Sequence, residues 1–306
     1  MDPMISVLPE QLNSNDEAKK LIWLKGEFMM VVVSHTLYLI ILIKSVKGLI
    51  KTKDWHFIFL LIASSFALLN NTNDIYYRVT APLKNFNIRN CNDTFLTQFL
   101  ITASLKWVPI SYYQISRLYR ICVNYYKRNW YIGIIAVSCI FSLLYSVMYF
   151  LNLKEFIASP SAFGGCVVSN TSNYVKYVEM FDIIDTGYSL LVVIWTLFIS
   201  LNNLKRYKLR HLKIKSIFDE NMLYFFILVV TKIIFYHLIE KSAAEPGGDI
   251  WWDALAIVVL SCAYRLMNLK PRLNVSYCVI VKYIYILLMF MFYNIIILYT
   301  IYYYEL

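Results

Sequence analysis

The residues best placed to do chemistry are charges set inside apolar runs. Lys106 stands in Leu105-Lys106-Trp107-Val108-Pro109, Lys232 and His237 share a second apolar stretch, and Asp253 follows Trp251-Trp252 in a third. Glu179, Asp182 and Asp185 recur at i, i+3 and i+6, and Ser189 continues the same series. Residues three and four apart are neighbours on a helix surface, so this spacing predicts a carboxylate stripe facing inward, with Asp182 its leading member. Ionisable groups are expensive in a membrane and mark functional sites by default. Three chemistries fit them: a charged cavity holding a ligand among Lys106, Asp182, Asp185, Lys232, His237 and Asp253; a buried structural ion-pair network; or a path for an ion or proton.

Enzymatic motifs are missing. The chain has no His-Glu-x-x-His, Gly-x-Ser-x-Gly, Cys-x-x-Cys or phosphate-binding glycine loop. The four histidines, His35, His56, His211 and His237, are too scattered for a metal or haem site. No enzyme activity, cofactor or metal is expected.

The elements that must position these charges follow from composition. Of 306 residues, 59% are hydrophobic and 16% charged, against about 25% charged in a soluble domain. The apolar residues form blocks near the roughly 20 residues that cross a bilayer. Spans are predicted at about 22–46, 55–77, 95–121, 130–151, 175–201, 222–240 and 250–267, with an eighth apolar run at 277–303. The expected fold is an all-α, polytopic membrane helix bundle: an N-terminal tail over 1–21, a seven-helix core over 22–270 and an apolar extension over 271–306 that adds an eighth helix. The second span turns polar through Asn70, Asn71, Asn73 and Asp74; that half needs protein or water beside it.

Orientation follows from basic residues. The turns after spans one, three and five and the segment after span seven hold seventeen Lys and Arg, against nine on the other face. By the positive-inside rule the N-terminus lies outside, in a multi-pass protein of the plasma membrane. The sequons at Asn92 and Asn170 fall on the same outer face and are candidate glycosylation sites. The formal charge of +10 is then loop charge beside anionic lipid, worth about 1 kcal/mol per residue, and implies no nucleic acid. Of six cysteines, only Cys91 and Cys166 fall on the oxidising side. They are expected to form a disulfide, the alternative being two free exterior thiols.

These features resemble the G-protein-coupled receptors: seven spans, an outer N-terminus, a cysteine capping span three and its partner in the second outer loop. Arg117, in Ser116-Arg117-Leu118-Tyr119, resembles the Asp-Arg-Tyr arginine that closes the third helix of rhodopsin-like members. The chain differs in carrying Ser116 in place of the acidic residue, no Cys-Trp-x-Pro in span six and no Asn-Pro-x-x-Tyr in span seven. It also lacks the span-seven lysine of opsins. The resemblance implies a ligand in the outer half and a cytoplasmic partner, a heterotrimeric G protein, docking on Arg117 and the basic loop with Lys205, Arg206, Lys208 and Arg210. The alternative is a channel or transporter using Lys106, Asp182 and Lys232 as its path.

Overall fold

The computed structural model describes residues 14–80, 91–160, 166–170, 173–207, 212–242 and 249–268. They form an all-α bundle of seven long helices: α1 (Ser14–Thr52), α2 (Phe57–Thr80), α3 (Thr97–Tyr125), α4 (Arg128–Lys154), α5 (Tyr174–Tyr207), α6 (Leu212–Ser242) and α7 (Asp249–Asn268). Six of these, all but α3, are long and apolar enough to cross a membrane, so the chain is a multi-pass membrane protein. The helices run past the predicted spans at most ends, and α1 already begins within the predicted tail. The eighth apolar run, 277–303, lies outside the described residues.

α3 is the least apolar of the seven, carrying Lys106, Arg117 and Arg120 along with many hydroxyl and amide side chains. Its position explains why such a helix is stable. Every residue from Thr102 to Leu118 is buried, with α2, α4, α5 and α7 packed around it. Polar groups there meet protein and not lipid, which removes most of their cost. Pro109 sits inside this run without ending the helix. The outer helices instead expose large apolar side chains, among them Leu191, Trp195 and Phe198 on α5, the pattern of a face that meets hydrocarbon.

At one end of the bundle a π-helical turn, Cys91–Leu96, runs directly into α3. Above it lies a hairpin that the sequence reading missed: β1 (Phe156–Pro160) pairs antiparallel with β2 (Cys166–Asn170), with Pro160 opposite Cys166. The disulfide Cys91–Cys166 is present, with Cα atoms 5.6 Å apart. Closing a 75-residue loop, it is worth roughly 4–5 kcal/mol in a chain-entropy estimate. Tyr77, Phe95, Leu96 and Ala158 pack with both cysteines, so the staple is buried in its own small core. Asn92 and Asn170 lie on this stapled layer, in the π turn and at the end of β2.

At the opposite end, α1 and α2 are joined by four residues. Lys53 takes a left-handed backbone conformation (φ 51°), ending α1 and turning the chain into Asp54. The joint is tight at Gly48, where a Cβ would stand 2.5–2.9 Å from the Phe57 ring.

Candidate functional site

Two lysine–aspartate pairs lie inside the bundle, and α3 adjoins both. In the first, Lys106 on α3 donates to Asp253 Oδ1 on α7 at 3.0 Å. The Tyr38 hydroxyl of α1 donates to the same oxygen at 3.2 Å, and Ser34 of α1 donates to Oδ2 at 3.0 Å. Asn71 of α2 completes the shell, its Nδ2 2.5 Å from Ser34 Oγ and 3.5 Å from Asp253 Oδ2. The ammonium of Lys106 also stands 5.3 Å from the centre of the Tyr38 ring and 5.7 Å from that of Trp107, within cation–π range. Four helices therefore meet on one carboxylate.

In the second, Lys232 on α6 donates to Asp182 Oδ1 and to Thr186 Oγ1 on α5, each at 2.7 Å. Tyr236, one turn on from Lys232, donates its hydroxyl to Asp182 Oδ2 at 2.8 Å. Gln114 of α3 reaches Thr186 Oγ1 at 3.5 Å. The four charged residues of the two pairs are only 2–6% exposed. Trp252 separates the clusters, meeting Trp107 edge-on on one side and Tyr236 on the other. The groups joining the two pairs along this line are aromatic rings.

These contacts revise the expected grouping. Lys106 pairs with Asp253 of α7 and not with the α5 carboxylates. Asp182 does point into the bundle, but Asp185 faces α4, where Ser142 donates to its Oδ2 at 2.8 Å. A step of three residues turns the helix about 60° short of a full circle, so an i, i+3, i+6 series drifts around the axis and disperses. The same geometry removes His237 from the cavity. It is five residues past Lys232, about 140° away around α6, and is exposed. Glu179 lies on that outer side too, within electrostatic range of His237 and Glu240.

A third cluster, unforeseen in sequence, closes the end of the bundle opposite the disulfide. Arg120 of α3 grips Asp54 with two hydrogen bonds, 2.8 Å to Oδ2 and 2.5 Å to Oδ1. His56 Nδ1 stands 2.6 Å from Asp54 Oδ1, and Arg120 lies against the same ring nitrogen. Burial works to raise the pKa of Asp54, but the hydrogen bonds to His56 and Arg120 outweigh it and hold the carboxyl well below the usual range. Burial pushes the His56 imidazole down to about 4, against the opposing hydrogen bond to Asp54. At neutral pH His56 is neutral and Asp54 is a carboxylate bound to Arg120. The available signal was an Asp-x-His turn of four residues between two apolar runs.

Arg117, expected at the docking face, is 2% exposed and lies inside the bundle. Lys205 and Arg206 fall in the last turn of α5; Lys208 and Arg210 lie outside the described residues. At the disulfide end, Glu27 of α1 and Arg78 of α2 form a further ion pair. Among the described residues no three His, Cys, Asp or Glu side chains come together as a metal-binding set. The arrangement holds charge in low dielectric by pairing each ammonium with a carboxylate. No model of a known protein family matches the chain, and a search of curated proteins finds no match.

Proposed function

We propose that the chain is a seven-helix plasma-membrane receptor, with its N-terminus and disulfide outside, that couples an outer-half ligand to a cytoplasmic heterotrimeric G protein. α3 supplies the seventh crossing in this reading. The ligand enters among α3, α5, α6 and α7 and competes for the Lys106–Asp253 or Lys232–Asp182 pair. The positive-inside rule supports the orientation.

One observation carries the reading. A single continuous helix bears Lys106 in its disulfide-end half and Arg120 near its other end, so each half of α3 is held by an ion pair to another element. A ligand with different affinity for the paired and unpaired states would shift the populations of both, and small helix displacements are a common form of such coupling. The channel or transporter alternative draws less support, because Lys106 belongs to one cluster and Asp182 with Lys232 to another, with rings of Trp107, Trp252 and Tyr236 between.

The test is nucleotide exchange on purified G proteins of the host, using full-length chain in lipid nanodiscs and a panel of candidate ligands. Accelerated exchange that Arg120→Gln alters is the expected result. Unchanged exchange across the whole panel overturns the proposal, as does substrate uptake into vesicles that Asp182→Asn abolishes while folding stays intact.

A further inference from the structure

Among the described residues, the buried carboxylates of the bundle can be matched against basic side chains, and one is left over. Lys106 meets Asp253, Lys232 meets Asp182, Arg78 meets Glu27 and Arg120 meets Asp54. Asp185 of α5 is fully buried and forms no ion pair among the described residues. Ser142 donates to its Oδ2 at 2.8 Å; Oδ1 has no donor in full hydrogen-bonding geometry among the described residues. A bare carboxylate in such a place is strongly disfavoured, so it must be neutralised.

Its neighbours on the two helices are serine hydroxyls. Ser138 and Ser142 stand one turn apart on α4, and Asp185 and Ser189 one turn apart on α5, on two helices that pack side by side. All four are fully buried. Among the described residues no partner lies in full hydrogen-bonding geometry for the hydroxyls of Ser138 and Ser189 or for Asp185 Oδ1, and Ser138 stands beside the Asp185 carboxyl.

This is unusual within the same molecule. Ser45, Ser64, Ser104 and Ser146 each donate to the carbonyl four residues back, at 2.7 Å, the usual refuge of a helical serine. For Ser138 that carbonyl belongs to Ile134, and it already accepts the Tyr188 hydroxyl at 3.1 Å. The Tyr188 ring also packs edge-on against Phe141. The serine is left with its oxygen beside Asp185.

We infer that Asp185, Ser138, Ser142 and Ser189 form a binding site for one monovalent alkali cation, Na+, between α4 and α5. Hard cations take oxygen ligands, carboxylate and neutral together. One positive charge cancels one carboxylate, whereas a divalent ion would leave an uncompensated charge in the apolar layer. A proton on Oδ1 would satisfy that oxygen and need one acceptor, leaving the second free hydroxyl unmatched; a cation engages Oδ1 and both hydroxyls. The site stands whether or not the chain is a receptor.

Thermal unfolding of full-length protein in detergent tests it, with NaCl replacing N-methyl-D-glucamine chloride at constant ionic strength. A ligand that binds only the folded state raises the midpoint as its concentration rises. The midpoint is expected to climb by several degrees with Na+. The Ser138→Ala/Ser189→Ala variant should need at least tenfold more Na+ for the same rise, and Asp185→Asn should fold without responding to it. Should Asp185→Asn fail to fold, the serine variant decides. A wild-type midpoint indifferent to Na+ overturns the site, as does one that follows only pH, or an unchanged Na+ response in the serine variant.

Discussion

The two interior lysine–aspartate pairs have the same chemistry and different reach. Asp253 gathers donors from three other helices, and its partners Lys106, Tyr38 and Ser34 are 147, 215 and 219 residues away in sequence. Asp182 draws Lys232 and Tyr236 from the next helix along, 50 and 54 residues away. The first pair closes the bundle by joining its first helices to its last. The second ties adjacent helices that a short connection already keeps together. The same ionic contact therefore has a global role in one place and a local one in the other.

Substitutions can break or sharpen that contrast. The largest effect is expected from Lys106→Met, which strands Asp253 with neutral donors; removing one partner of a buried pair costs about 3–5 kcal/mol. Equilibrium unfolding in mixed micelles should place it near the top of that range, with α1 and α7 loosened together in hydrogen exchange. Asp182→Asn should fall near the bottom, about 3 kcal/mol, with the loosening confined to α5 and α6. A larger loss for Asp182→Asn than for Lys106→Met would invert the comparison.

The third pair sharpens it from outside the apolar layer, because Asp54 and His56 can answer to pH. At pH 7.5 His56 is neutral in the folded and unfolded chain alike. Towards pH 5 the unfolded imidazole takes up a proton near its ordinary value, while the folded one, at about 4, does not. Stability then falls with pH, by about 2 kcal/mol between pH 7.5 and 5. Asp54, held low, is ionised in both states through most of that window and adds little slope. His56→Gln should flatten the dependence; a slope unchanged in that variant would remove His56 from the cluster.

The smallest effects should come from the tyrosines. Tyr38→Phe and Tyr236→Phe each remove one hydrogen bond to a charged carboxylate, costing about 1.5–3 kcal/mol if no water replaces it and about 1 kcal/mol if one does. Asp253 has more remaining donors, so Tyr38→Phe is expected to be the milder. A thermal-shift series on both variants reads the order directly.

Much of this could be read in the residues. Lys106, Asp182, Lys232 and Asp253 stand out because charge in an apolar run is costly, and Cys91 with Cys166 because topology leaves them a common side. What sequence could not supply is which helix lies beside which: Lys106 looked as able to reach α5 as α7. Rotation misled as well, since three-residue steps looked like one face until the drift carried Asp185 to α4. Tyr38 and Tyr236 were hidden among 26 tyrosines, most of which could serve equally as lipid-facing or interfacial rings. The Asp54 cluster lies in the turn after the first span and the β-hairpin in the second outer loop, where the apolar runs carry no signal.

Gly48 gives that connecting turn a mechanical meaning. The Phe57 ring fills the place where any other residue would begin its side chain, so the elbow between α1 and α2 closes only as far as a bare backbone allows. Three residues before that ring comes Asp54, gripped by Arg120. Even a methyl group at Gly48 would have to displace that ring, disturbing the joint next to the Asp54–Arg120 contact with every charge in the molecule untouched.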